Sequence, residues 1–254
     1  MKQSRALCVA SILLVTSLAS ADKDKKYTLD DLKALVQQKS FQEALDHLGD
    51  IAPSERKADW QDLAGQVGVG VVGNGKDALT KLAVMIGVEQ QYPVVLKHAK
   101  YMSLRTELGP KGFDACWADG DTQTCLDYAT KFIDDDAGNG KLALAIAKIG
   151  RRNMNAYSAI PLFKRALVAN KGTAVCKDDD FKLAVTGALG LPPDFDNAVT
   201  GRELATTCWS DLRKGVMDEL AKEDSGAYFK ANTCQVAPAK KEQAASRLCV
   251  EKKE

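Results

Sequence analysis

From Leu32 onward, apolar side chains return every three or four positions, the spacing of helices that bury one face. Thr28 stands before the first such run as an N-cap, with Asp30 and Asp31 in the first turn and Leu32, Leu35 and Val36 as its apolar stripe. Ser40 to Glu43 reads as a capping box opening a second helix, which carries Phe41, Ala44, Leu45, Leu48 and Ile51. Pro53 should end it, and Ser54 should cap a third helix bearing Trp60, Leu63, Ala64 and Val67. Asp77 is placed to cap a helix with Ala78, Leu79, Leu82, Ala83 and Ile86 inward, and Gln90 to Pro93 is a break. The next helix carries Leu96, Tyr101, Leu104 and Leu108, and Phe113 to Trp117 reads as a separate short helix or turn. Thr124 to Ile133 predicts a helix with Leu126, Ala129, Phe132 and Ile133 inward. Helical segments follow up to Gly150, over Ile160 to Leu167, and from Phe181 to Gly190. Leu191-Pro192-Pro193-Asp194 is a rigid exit. Two further helices, Asn197 to Trp209 and Asp211 to Lys222, have Val199, Leu204, Leu212, Val216 and Leu220 as apolar markers.

The pattern repeats. Apolar-then-glycine endings fall at Gly70, Gly109, Gly150 and Gly190, at steps of 39, 41 and 40 residues. Glycine at such a place suits a helix stopping in a left-handed C-terminal cap. Helix pairs at a period near 40 are in the range of helical solenoids. The phrases AIAKIG and SAIPLFKRAL, then DDDFKLAVTGALG, resemble the HEAT/armadillo group: a Gly ends one helix, a Pro-containing segment opens the next, and an Asp precedes the inner helix. Lys182 stands where that group usually has Arg. The stretch QQKSFQEALDHLGDIAPSERKADW is similar to a tetratricopeptide unit. These resemblances imply an all-α chain, a right-handed α-α superhelix of about 11–13 helices. The array is expected over residues 28–223, with an irregular segment and a short polar capping helix, Ala237 to about Leu248, in 224–254.

Residues 1–21 have a basic start, an apolar run from Ala6 to Leu18, and Ala19-Ser20-Ala21, the layout of a cleavable signal peptide. The run is short for a membrane span, so no membrane insertion is expected after cleavage. A charged linker, 22–27, would then lead into the array. Lys2 and Arg5 leave with the signal, so 35 basic residues become 33 against 34 acidic ones. That balance gives no reason to expect a nucleic-acid partner. Six cysteines remain, Cys116, Cys125, Cys176, Cys208, Cys234 and Cys249, and an even number in an exported chain reads as three disulfides. Fifteen connectivities are open. Pairing of neighbours, 116 with 125, 176 with 208 and 234 with 249, is expected because neighbouring helices of an array lie close together. The paired dipeptides Cys116-Trp117 and Cys208-Trp209 suggest rings packed on bridges.

Catalytic and cofactor signatures fail on inspection. Gly68, Gly70 and Gly73 imitate a dinucleotide pattern, but the preceding DWQDLAGQV reads as a helix, not a strand. Gly70 to Lys76 imitates a phosphate loop, but Asp77 replaces the required Ser or Thr. Small residues for close helix approach, then an Asn74-Gly75 turn, are the better account. Asp134, Asp136 and Gly138 alternate as in a calcium loop, yet Asn139 and Ala145 occupy the sixth and twelfth positions, where Gly and Glu are needed. These acids, like Asp178 to Asp180, are read as caps of the helices that follow. His47 reads as structural. No catalytic, cofactor or metal site is expected.

The reading that results is an exported protein of the periplasm or cell exterior, not an enzyme, offering a concave surface to a protein or peptide. A self-associating envelope component, or an enzyme acting on an envelope polymer, are the alternatives.

Overall fold

A computed structural model describes residues 26–208, apart from 173, 190 and 192–194. The expected signal peptide, the helices expected at 211–222 and 237–248, most of the Pro192-Pro193 exit, Gly190, Cys234 and Cys249 lie outside the described residues. Those that are described are helical, with no strand among them. The chain divides into two compact units at Asp121/Thr122.

The first unit holds α1 (Leu29–Gln37), α2 (Phe41–His47), α3 (Ala58–Gly73), α4 (Ala78–Gln91) and α5 (Ala99–Asp119). Thr28 caps α1 as expected: its hydroxyl accepts from the Asp31 N–H and the Asp31 carboxylate accepts from the Thr28 N–H. Tyr27, at the end of the charged linker, is part of the packing, its ring stacked on His47 at 3.9 Å and its N–H donated to Asp50. The capping box at Ser40 does not form, because Glu43 accepts instead from the Tyr27 hydroxyl at 2.9 Å. Nor does Ser54 cap α3. Pro53–Glu55 winds as a 3-10 turn, which delays the helix to Ala58. Arg56 fastens that turn to the Gly49 and Ile51 carbonyls and lies over the Trp60 ring, whose indole N–H donates to Leu48. Asp77 caps α4, accepting from the Thr80 N–H at 2.8 Å.

Gly70, Gly109 and Gly150 are not helix stops. Gly70 lies inside α3, Gly109 inside α5, and Gly150 three residues before the end of α7 (Gly140–Asn153). Gly172 is the one glycine with positive φ among the described residues. What glycine supplies here is room. A Cβ on Gly65 would sit 2.2 Å from the His98 ring, and one on Gly70 2.2 Å from Phe41. Gly112 in α5 would meet Leu82 of α4 at 2.5 Å. With Gly109 buried in its interior, α5 runs on through Pro110 to Asp119, so Phe113–Trp117 is its last part and not a separate element. Left-handed caps do occur, but on lysines. Lys39 (φ 61°) closes α1, with the Ser40 N–H on Leu35 O and the Lys39 N–H on Val36 O. Lys171 (φ 51°) closes α8 (Ile160–Ala169) by the same pair of bonds, Gly172 to Leu167 and Lys171 to Val168.

The second unit holds α6 (Thr122–Asp134), α7, α8, α9 (Asp179–Leu189) and α10 (Asp196–Cys208). Asn170, just past α8, donates to the carbonyl of Gly140 at the start of α7, so α7 and α8 are antiparallel. Gly201 of α10 lies against Ala188 of α9, and Cys208 is bonded to Cys176 just before α9, so these two are antiparallel as well. Gly187, near the end of α9, abuts Ala156 and Tyr157, which lead into α8. α8 and α10 therefore start at the same end and run in parallel, as do α7 and α9. Two like-oriented helix pairs make two layers. Between them lies an apolar core that includes Leu142, Ile146, Phe163, Leu167, Phe181 and Val185. The Phe163 and Phe181 rings meet edge-on at 5.6 Å.

Candidate interaction surface

Charge occupies two settings in this chain. In the first unit, Arg105 of α5 is fully buried, its Nε 2.9 Å from Glu89 Oε1 on α4 and its Nη2 3.3 Å from Oε2. The Tyr101 hydroxyl donates toward the same carboxylate and toward Met85 O. Burial, then the adjacent Glu89 charge, pushes the Tyr101 phenol far above its ordinary value, so it stays a neutral donor. All three residues are buried, so the cluster is closed to ligands in this conformation and serves to join α4 to α5.

In the second unit the charges stand between α7 and the N-terminus of α9. Asp178 caps α9, accepting from the N–H groups of Asp180 and Phe181, and takes Lys148 Nζ at 2.7 Å. Asp180 is held by Arg151, with Lys148 and Arg152 within 4 Å. Of the 178–180 acids, Asp178 caps as expected, whereas Asp179 pairs with Lys182 and Asp180 with the cations of α7. The 134–136 acids do otherwise. Asn139 caps α7, accepting from the Leu142 N–H, while Asp134 pairs with Arg165, Asp135 with Lys131 and Asp136 with Asn139. Each of these acids has a neighbouring side chain that serves it better than a free helix end does.

The other layer, α8 and α10, presents apolar side chains to solvent. Val168 is 74% exposed, Phe195 54% and Val199 43%, the large exposed hydrophobics among the described residues. They are placed regularly. Lys164 of α8 and Glu203 of α10 pair at 2.9 Å. Val168 is one turn beyond Lys164, Val199 one turn before Glu203, and Phe195 one turn before that, so all follow the stripes that carry the ion pair. Val199 was expected inward; it faces water, and Ala198, Gly201, Leu204 and Ala205 fill the inner side of α10. Val168 and Phe195 were not singled out in the sequence. The available signal was Val168 four residues after a charged Lys164 on a helix already buried through Ile160, Phe163 and Leu167.

Of the six cysteines, Cys176 and Cys208 are bonded to each other, with S–S 2.05 Å, and Cys116 and Cys125 are both disulfide-bonded. Trp117 packs on Phe113, at 5.8 Å between centroids. The glycines 68, 70 and 73 all lie within α3, with their backbone committed to the helix rather than shaped as an anion cradle. His47 is hydrogen-bonded to Asp50, and His98 caps α5 through Nδ1 while its Nε2 lies 3.4 Å from Asp62. No group of three or more His, Cys, Asp or Glu placed to hold a metal occurs among the described residues. No described helix is long and apolar enough to cross a membrane.

A scan against protein-family models gives no match, and neither do searches of curated proteins and of solved structures.

Proposed function

We propose that this chain is an exported, non-enzymatic helical-repeat protein that binds a protein or peptide in the periplasm or cell exterior. Its helix pairs continue as a right-handed α-α superhelix of the HEAT/armadillo kind. The layer formed by α8 and α10 carries the concave, partner-binding face. The exposed set Val168, Phe195 and Val199 around the Lys164–Glu203 pair is the observation that carries this reading. Apolar anchors beside charged groups suit a segment with a few hydrophobic side chains among polar ones. Two like-oriented helix pairs, with α8 and α10 joined by residues 39 apart, support stacking at the period seen in the sequence. Disulfides support an oxidising compartment.

The test is a random peptide library panned against the full mature protein. Enriched peptides should share apolar anchors, and the variants Val168→Asp and Val199→Asp should lose them at least tenfold while keeping their helical circular dichroism. Peptides held equally well by both variants would overturn the assignment of the face. If instead the wild type forms dimers that both variants abolish, the face serves self-association.

A further inference from the structure

The tetrapeptide Gly-Asn-Gly-Lys occurs twice, at 73–76 and at 138–141. Asparagine before glycine is the pairing most given to losing its side-chain amide, because no side chain on glycine hinders the attack of its nitrogen on the asparagine Cγ. Both asparagines have the same neighbours, so they start from the same intrinsic chemistry, and the fold separates them.

Asn139 is held at each point the reaction needs. Its Oδ1 accepts from the Leu142 N–H at 3.0 Å as the cap of α7, and its Nδ2 donates to Asp136 at 2.9 Å. Gly140, which supplies the attacking nitrogen, is buried. Its carbonyl accepts from Asn170 at 2.8 Å, and a Cβ on it would meet the Asn170 side chain at 2.5 Å. Asn74 is in the opposite situation, at the carboxyl end of α3. Its side chain is exposed and makes no hydrogen bond with a described residue. Gly73 before it is exposed too, with open space where a Cβ would stand. The Asn74 N–H is shared between the Gly70 and Val71 carbonyls, and the Gly75 N–H reaches Val72 O at 3.2 Å. Those are bonds of a last helical turn, and helix ends fray.

We propose that Asn74 is a site of spontaneous covalent modification: it deamidates in the folded protein while Asn139 is spared, and the product loosens the joint between α3 and α4. The Gly75 amide nitrogen, on losing its proton, attacks Asn74 Cγ. The new N–Cγ bond closes a succinimide ring, the Cγ–Nδ2 bond breaks, and Nδ2 leaves as ammonia. Water then opens the ring at one carbonyl or the other and gives aspartate or isoaspartate. Water enters, ammonia leaves, and nothing is oxidised or reduced. Either product puts a carboxylate at the carbonyl end of α3, where the helix dipole opposes it, and close in the chain to the Asp77 carboxylate that caps α4. Isoaspartate also lengthens the main chain by a methylene within the connection. The site belongs to the first unit and does not depend on the binding face proposed for α8 and α10.

The full mature protein is incubated at mildly alkaline pH, in buffer and in concentrated urea with reductant, then digested and mapped by mass spectrometry for aspartate and isoaspartate at both sites. In buffer, conversion at Asn74 should outrun that at Asn139 at least about tenfold, since a cap and a second side-chain bond must break before Asn139 can react. In urea the two rates should converge. Asp136→Ala, which frees the Asn139 amide, and Asn170→Ala, which uncovers Gly140, should speed conversion at Asn139 and leave Asn74 as it was. If either variant does not fold, the wild type in buffer and in urea still decides the matter. The deamidated fraction, separated by ion exchange, should show faster amide hydrogen exchange over 72–81 than the intact fraction, and Asn74→Ser should yield no such fraction from that site. Equal rates in buffer would overturn the proposal, as would faster conversion at Asn139, or an Asn74 that stays intact in buffer while it converts in urea. A ratio that urea leaves unchanged would assign the difference to more distant sequence and not to the fold, which also overturns it. So would unchanged exchange over 72–81 in the deamidated fraction.

Discussion

In the first unit a guanidinium and a carboxylate meet inside the packing, Arg105 on Glu89 with Tyr101 as third partner, and glycines let α3 approach Phe41 and His98. In the second unit an ion network stands between helix ends, where Asp178 and Asp180 share Lys148, Arg151 and Arg152, and the interior is largely Leu, Ile, Val, Phe and Ala. The difference lies in what each can lose. A sealed pair has no water to take over a missing partner, whereas Asp180, itself buried, is met by Lys148, Arg151 and Arg152, whose side chains all reach water and can be solvated when it is removed.

The largest effect should come from cutting the sealed pair. Arg105→Met leaves Glu89 as a buried, uncompensated charge, and urea melts should show a loss of about 3–5 kcal/mol. Arg105→Met with Glu89→Leu should recover most of it. Asp180→Asn in the second unit should cost only about 1 kcal/mol, and a loss equal to that of Arg105→Met would break the contrast. Next in size is the glycine packing. Gly65→Ala drives a methyl into His98 and should cost about 1–3 kcal/mol by thermal melting. Gly87→Ala, in the interior of α4 with nothing within 4 Å, should gain about 0.5–1 kcal/mol.

A smaller effect should be common to both units. Lys39→Gly and Lys171→Gly relieve left-handed residues, and each should raise the urea midpoint by the equivalent of about 0.5–1 kcal/mol. A gain at one site only would mean that the two caps are not equivalent. The smallest effect is on acid stability. Burial alone would raise the Asp50 carboxyl, but the Tyr27 N–H and the His47 ring outweigh it and hold it below its ordinary value. The stabilisation is therefore complete above the unfolded carboxylate value, about pH 4, and fades as pH falls through the lowered folded value. Asp50→Asn should flatten the acid limb of the first unit's melting curve, and an unchanged limb would remove this account.

Helices and local caps were legible because their determinants are local. A 3.6-residue apolar period needs no knowledge of neighbours, and Thr28, Asp77 and Asp178 each bond within three residues of themselves. Ser40 misled because Glu43 is claimed by Tyr27, 16 residues away. The glycines misled for a deeper reason. Glycine serves equally to end a helix and to admit a neighbour, and only the neighbour decides which. Gly70 needs Phe41 to explain it, and Gly112 needs Leu82. The Arg105–Glu89 pair joins helices 16 positions apart, and in the sequence both look like ordinary solvated residues. The exposed face was half legible. Val168 falls on the polar stripe of its helix, but Val199 looks like a core marker until Ala198 and Leu204 are seen to take the inner side.

Trp60 and Trp117 both sit in the first unit, and the described residues of the second contain no tryptophan. Intrinsic fluorescence should therefore give a private optical record of one half of the molecule, once Trp209 is replaced by Phe. Emission near the indole of Trp60, set beside the Arg56 cation and the Leu48 carbonyl, would track the first unit's melting while the helix signal reports on both. A single cuvette could then say whether the two halves let go together or in turn.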